Sequence, residues 1–308
     1  LKLNGRAAFL NDGLQLEWSY SGFEIAGQLQ GDITLTGITS TAEILCYSVI
    51  DGDYDNAKQL RIKDGNLTVA ENLPGGYHTV QFIKASEASR GRMNIKGITY
   101  QGALFKRPAD KALKIEFIGD SITSAAGLYK TDVQTDALLR QNTFLGYAPA
   151  VARAFDADCG IVSISGGSVC TKDPKLPDYY PRPFYSKADT AWNFPAEDEP
   201  DIVVIALGTN DTPSYNAENI DVLKAGITNL LTLVREKNPN ATIIWAYGMM
   251  ATNLASDYKA FAASDGNTYY TLINRNHCDG DSGHPTPEGH KKNAEELISF
   301  IKANGIAG

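Results

Sequence analysis

From residue 113 onward the sequence alternates short apolar runs with amphipathic stretches, and this alternation limits the fold more than any other feature. Strands are expected at Leu113–Ile118, Cys159–Ser165, Asp201–Leu207, Ala241–Tyr247 and Tyr269–Ile273, because each is a brief apolar run closed by glycine or polar residues. Helical patterns fill the gaps at Phe144–Phe155, Ala217–Lys237 and Glu288–Ala303, the last entered at Thr286-Pro287 and left at Gly305. Strand–helix alternation at this spacing implies a mainly parallel five-stranded sheet with helices on both faces, a three-layer α/β unit.

The first third of the chain has a different rhythm. Segments such as Gly22–Leu29, Asp32–Gly37, Ala42–Gly52, Tyr77–Lys84 and Gly97–Tyr100 alternate polar and apolar residues and are broken by turns about every ten residues. That pattern implies an antiparallel, jelly-roll-like β-sandwich without a convincing helix. The expected organisation is a sandwich over 1–107, a linker at 108–111 marked by Pro108 and its charged neighbours, and an α/β unit over 112–308. A length of 308 residues with 43% apolar content supports two real cores. One stretch breaks the rhythm. Between Thr171 and Pro200 lie several prolines with Tyr179, Tyr180, Phe184, Tyr185 and Trp192, a loop long enough to suggest a function or packing against the first unit.

The net charge of −8 gives no basic footprint for nucleic acid, and no run approaches the ~18 apolar residues of a membrane span. The chain starts at Leu1, and the expectation is a secreted or periplasmic protein whose leader has been removed. Cys46, Cys159, Cys170 and Cys278 show no metal-site spacing; buried thiols are expected, with Cys159 and Cys170 as the one conceivable pair. His277, Cys278, Asp279, Asp281 and His284 form no convincing metal set, and the acidic runs at Asp51 and Asp279 fail the calcium-loop pattern. No metal or other cofactor is expected.

Three strand ends carry chemistry-bearing residues. The first expected strand stops at Gly119-Asp120-Ser121, the second at Ser165-Gly166-Gly167-Ser168 and the third at Gly208-Thr209-Asn210-Asp211. Taken singly these are a helix cap, a turn and a braced loop. At the carboxyl edge of one parallel sheet they bring a hydroxyl, a glycine N–H and a side-chain amide together, which acyl transfer requires as nucleophile and oxyanion donors. A serine needs a base. His78 lies in a strand-like run, His277 in a turn, and His290 beside Lys291 and Lys292 on what reads as a solvated helix face. His284 stands in the loop from the last strand to the last helix, with Asp281 three residues earlier to accept its Nδ1–H.

These blocks, Gly119-Asp120-Ser121, Gly166, Gly208-Thr209-Asn210-Asp211 and Asp281-x-x-His284-Pro285, stand in the order of the four blocks of SGNH (GDSL-like) hydrolases, and the region from Lys111 to Gly308 resembles that family. The resemblance implies a flavodoxin-like three-layer fold for that region, with Ser121 as nucleophile, His284 as base, Asp281 as its partner, and an oxyanion hole from the N–H groups of Ser121 and Gly166 with the Asn210 amide. The Gly-x-Ser-x-Gly pattern of α/β-hydrolases is absent. A β-sandwich ahead of the hydrolase, with Gly75-Gly76-Tyr77-His78-Thr79-Val80, Phe117–Gly127 and Tyr247-Gly-Met-Met, resembles carbohydrate esterase family 2. That implies deacetylation of polysaccharides such as xylan or mannan, in some members by a Ser-His dyad. Where that family has an acid it commonly stands two residues before the histidine; here Ser282 holds that position, with Asp281 at three and Asp279 at five. Trp192, Tyr247 and Met249 are the expected substrate contacts. The competing readings are a carbohydrate-binding protein with a vestigial hydrolase, or a lipase or thioesterase of the same class.

Overall fold

A computed structural model describes residues 1–105, 107–216, 218–263 and 266–307. The expected helix start at Ala217 and the chain end at Gly308 lie outside the described residues. The described residues form two compact units, Leu1–Asp110 with Pro183–Ser186, and Lys111–Arg182 with Lys187–Gly308.

The first unit is the expected antiparallel β-sandwich. Its strands, among the described residues, are β1 (Lys2–Asn4), β2 (Ala7–Leu10), β3 (Gly13–Leu16), β4 (Gly22–Ser40), β5 (Ile44–Ile50), β6 (Lys58–Ile62), β7 (Gly65–Lys84), β8 (Met93–Ile95) and β9 (Gly97–Leu104). They follow one hydrogen-bonded path, β2-β3-β8-β4-β7-β5-β6, with β1 and β9 also on β4. The two long strands β4 and β7 pair from Gly22↔Ile83 to Ile38↔Gly65 with register shifts that bend them. The end of β4 joins β8 at Thr39↔Asn94. Alternate residues point inward, so Phe23, Ile25, Leu29, Ile33 and Leu35 of β4 meet Val80 and Phe82 of β7 in the core. The segment Pro183–Ser186, which the sequence assigns to the α/β unit, belongs here. The Pro183 carbonyl accepts from Trp18 Nε1 at 3.1 Å, and the Ser186 amide and hydroxyl donate to Glu17 Oε2.

The second unit carries β10 (Leu113–Gly119), α1 (Tyr147–Ala154), β11 (Ala157–Ser163), α2 (Leu176–Tyr179), β12 (Ile202–Ala206), α3 (Ile220–Lys237), β13 (Thr242–Gly248), α4 (Ala255–Ala263), β14 (Thr268–Ile273) and α5 (Pro287–Ala303). The five strands lie in the order β11-β10-β12-β13-β14, all parallel. A parallel sheet covered by helices buries both faces of its strands, which is why Ile115, Phe117 and Ile118 of β10 and every residue of β12 are buried. Helix α3 presents Leu223, Ile227, Leu230, Leu231 and Val234 inward at helical spacing. Helix α4, which sequence periodicity did not bring out, buries only Tyr258, Phe261 and Ala262. Strand β10 lies between β11 and β12, where the order of the sheet reverses, so its carboxyl end opens onto the switch-point crevice.

Candidate active site

The turn after β10 places Ser121. The residue is almost buried, 9% exposed, and its hydroxyl lies 2.8 Å from Nε2 of His284. The turn is held by Ser124 N–H on the Asp120 carbonyl and Ala126 N–H on the Ser121 carbonyl. Asp120 is fully buried; its Oδ1 accepts from the Ile122 amide at 2.9 Å and its Oδ2 from the Asn210 amide at 3.3 Å. Burial pushes the Asp120 carboxyl up to about 7, against the lowering hydrogen bond from Ile122.

His284 is fixed by backbone. Its Nδ1 stands 2.7 Å from the carbonyl oxygen of Asp281, and a carbonyl can only accept. Nδ1 therefore carries the proton, leaving the Nε2 lone pair for the Ser121 hydroxyl. The expected partner was the Asp281 carboxylate, and the geometry differs. That carboxylate instead lies 3.9 Å from Arg140 Nη1 and accepts from the Ser282 hydroxyl at 3.3 Å. The loop turns tightly because Ser282 and Gly283 both have positive φ, which swings the carbonyl rather than the side chain toward the ring.

Gly127 is the platform on which this loop rests. Its carbonyl accepts from Asp281 N–H at 2.8 Å. Its φ is +68°, and a Cβ there would come within 2.7–2.8 Å of the His284 ring and Cβ. In the sequence this glycine stands only as the last residue of the Phe117–Gly127 stretch. The signal was its position six residues after Ser121, at the end of the turn.

The other two strand ends meet around Asn210. Its amide donates to the Gly167 carbonyl at 2.9 Å as well as to Asp120, so it bridges the ends of β10 and β11. Gly167 N–H is spent on the Ile164 carbonyl. Gly166, at φ +77°, has open space where a Cβ would stand. Asp211, which sequence reasoning treated only as part of a motif, organises the segment beyond. Its buried carboxylate accepts from the amides of Val169, Cys170 and Thr171 and from the Thr171 hydroxyl. Below the Asn210 turn, the Thr212 hydroxyl meets the Gly208 carbonyl and the Tyr247 hydroxyl, each at 2.8 Å, and Tyr247 stacks on Tyr258 at 4.1 Å.

The expected substrate contacts divide. Tyr247 and Met249 line a small hollow with Ile122, Leu207 and Thr209 at the carboxyl ends of β10, β12 and β13. Trp192 is elsewhere: it lines a hollow with Glu116, Phe194, Pro200, Lys237 and Asn238. Pro200 precedes β12 and Asn238 follows α3, so that hollow lies toward the amino edge of the sheet, opposite Ser121. His290 also departs from expectation. It is fully buried, on the stripe it shares with Ala294, Leu297 and Ile301, a spacing readable in the sequence but masked by Lys291 and Lys292. All four cysteines are free thiols, Cys159 and Cys170 included. Among the described residues no group of three or more His, Cys, Asp or Glu side chains is arranged to hold a metal ion, and no helix is long and apolar enough to cross a membrane.

Comparison with known proteins places both units. Residues 3–108 match the family model described as carbohydrate esterase 2 N-terminal, and residues 117–292 match the GDSL-like lipase/acylhydrolase family. The chain is 28% identical to the cellulase/esterase CelE of Acetivibrio thermocellus over 97% of its own length, spanning 39% of that larger protein. It is 24% identical to an acetylxylan esterase/glucomannan deacetylase of Cellvibrio japonicus, over 95% of this chain and 86% of that protein. A family two carbohydrate esterase from Clostridium thermocellum, solved in complex with cellohexaose, superposes with a TM-score of 0.87 at 26% identity, covering 99% of both chains.

Proposed function

Because the chain belongs to the GDSL-like lipase/acylhydrolase family, with a carbohydrate esterase 2 N-terminal unit ahead of the hydrolase, we propose that it is a serine esterase removing O-acetyl groups from plant polysaccharide, acetylated xylan or mannan, or from their oligosaccharides. The observation that carries this reading is the Ser121–His284 contact at 2.8 Å, with the imidazole tautomer fixed by the Asp281 carbonyl.

Ser121 Oγ attacks the acetyl carbonyl as its proton passes to His284 Nε2. The imidazolium so formed keeps its Nδ1–H on the Asp281 carbonyl, whose dipole stabilises the charge in place of a carboxylate. The oxyanion is received by the N–H groups of Ser121 and Gly166 and by the Asn210 amide, which gives up its long 3.3 Å contact with Asp120 to do so. His284 gives the proton to the sugar oxygen as its bond to the acetyl carbon breaks, leaving acetyl on Ser121. Water, deprotonated by the same imidazole, then attacks the acetyl carbon, and the proton returns to Ser121 Oγ as acetate leaves. A polymer-sized substrate would suit a secreted or periplasmic enzyme, the location we propose.

The test is acetate release from acetylated xylan, acetylated glucomannan and 4-nitrophenyl acetate by the wild type and Ser121→Ala. Polysaccharide deacetylation that vanishes in a folded Ser121→Ala supports the reading. Activity retained in the variant overturns the nucleophile, and cleavage of the small ester alone overturns the polysaccharide.

A further inference from the structure

The reaction as proposed makes no use of Tyr147 or His290, yet the two are placed to govern it. Tyr147 is the first residue of α1, and its N–H is one of the helix-start donors without an intrahelical acceptor; the cap residue Gly146 has no side chain to offer. The acceptor comes from another helix. Nδ1 of His290, on α5, takes this N–H at 3.2 Å, and the two rings lie parallel within 2° at 6.2 Å between centroids. At its other end the Tyr147 hydroxyl meets the Thr123 hydroxyl at 2.9 Å, and its ring sits edge-on to Phe117 of β10. Thr123 stands in the Ser121 turn, two residues beyond the serine. His290 N–H bonds the Thr286 carbonyl, and Thr286 N–H bonds the His277 carbonyl, so the histidine is tied to both ends of the loop bearing His284. All three side chains, Thr123, Tyr147 and His290, are 0% exposed.

We propose that Tyr147 and His290 are positioning residues, forming a buried bridge that fixes the Ser121 turn against the His284 loop and so sets the distance over which the proton is passed. This rests on the dyad chemistry proposed above. The bridge suits a site where charge appears and disappears. Burial first, and the neighbouring His284 second, hold the His290 imidazole neutral by lowering it to about 3, so it remains an acceptor at Nδ1 when His284 becomes an imidazolium. A small displacement of nucleophile from base is expensive in rate, up to about a hundredfold for ~1 Å, whereas substrate binding has no part in this bridge.

The test compares steady-state kinetics on 4-nitrophenyl acetate for the wild type, His290→Leu, His290→Asn, Tyr147→Phe and Ser121→Ala, with thermal unfolding of each. Asn offers an oxygen near the position of Nδ1 and should restore the bond to Tyr147 N–H; Leu fills the space without it. Tyr147→Phe removes only the hydroxyl on Thr123. The expected result is a kcat lowered about tenfold or more in His290→Leu and Tyr147→Phe with KM within about twofold, and recovery to within about threefold of wild type in His290→Asn. A folded His290→Leu with wild-type kcat overturns the bridge, as does an Asn variant no better than Leu. If His290→Leu does not fold, Tyr147→Phe decides, and wild-type kcat there overturns the bridge. Ser121→Ala separates the two claims: an inactive Ser121→Ala beside fully active bridge variants removes the bridge alone, and an active Ser121→Ala removes the proposed dyad itself.

Discussion

The carbonyl oxygen of Asp281 lies 2.7 Å from Nδ1 of His284, the place a carboxylate holds in a Ser-His-Asp triad, while the Asp281 carboxylate turns away to Arg140. A carbonyl fixes the tautomer and the ring plane, and it stabilises the imidazolium through a dipole rather than a full charge. Removing the side chain leaves that carbonyl in place. Asp281→Ala is expected to keep kcat within about fivefold of wild type, against the ~10⁴-fold loss seen when a true triad acid is neutralised. A loss of a thousandfold or more in a folded variant would restore the carboxylate to the mechanism.

Gly127→Ala tests the platform under the base. The new methyl would stand within 2.7–2.8 Å of His284 at a φ of +68°, so the ring must move. We expect kcat to fall about a hundredfold, with the folded state retained by near-UV circular dichroism. Activity within threefold of wild type would show that the loop tolerates the displacement.

Asp211→Ala strips the acceptor from three backbone amides and one hydroxyl at Val169–Thr171. Each buried donor left without a partner costs roughly 1–3 kcal/mol, so urea denaturation should report a loss of about 3 kcal/mol or more. Because the same segment follows Gly166, kcat should fall with it. A loss under about 1 kcal/mol would mean that water replaces the carboxylate at these amides.

Asp120 links stability to pH. Its carboxyl is raised in the folded chain from an ordinary value of 3.8 to about 7, so between these values the folded state binds a proton that the unfolded state has lost. Stability from this group is then greatest below the unfolded value and declines as pH rises toward about 7. Asp120→Asn removes that decline. Denaturant midpoints of wild type and variant, measured from pH 4 to pH 7, should therefore diverge, the variant gaining relative to wild type as pH rises; parallel curves would refute the raised carboxyl.

Much of the fold was legible because it rests on patterns that sequence preserves. The unbroken apolar runs at Phe117 and Val204 mark strands buried on both faces, and the period-two segments around Phe23 and Phe82 mark the sandwich. Ser121 and His284 were legible as a serine at a strand end and a histidine in a connecting loop, and the fold brings them within 2.8 Å. What escaped depends on tertiary context. Sequence shows a carboxylate at Asp281 but not that its carbonyl faces the ring. It shows charged neighbours at His290 but not that α1 covers the opposite side of the helix. Trp192 was assigned by residue type in a loop whose path only the fold decides. Helix α4 buries too few residues to display a period.

Ser121 and His284 are 163 residues apart in the chain, one beyond the sheet's second strand in spatial order and the other beyond its last. No local fragment contains both. On the proposed chemistry, Ser121 is an ordinary alcohol with no base until β14 has docked and α5 has packed, so hydrolysis of a small ester would report on completed assembly of the α/β unit. Initial rate per mole of chain is accordingly a titration of correctly closed molecules in any preparation.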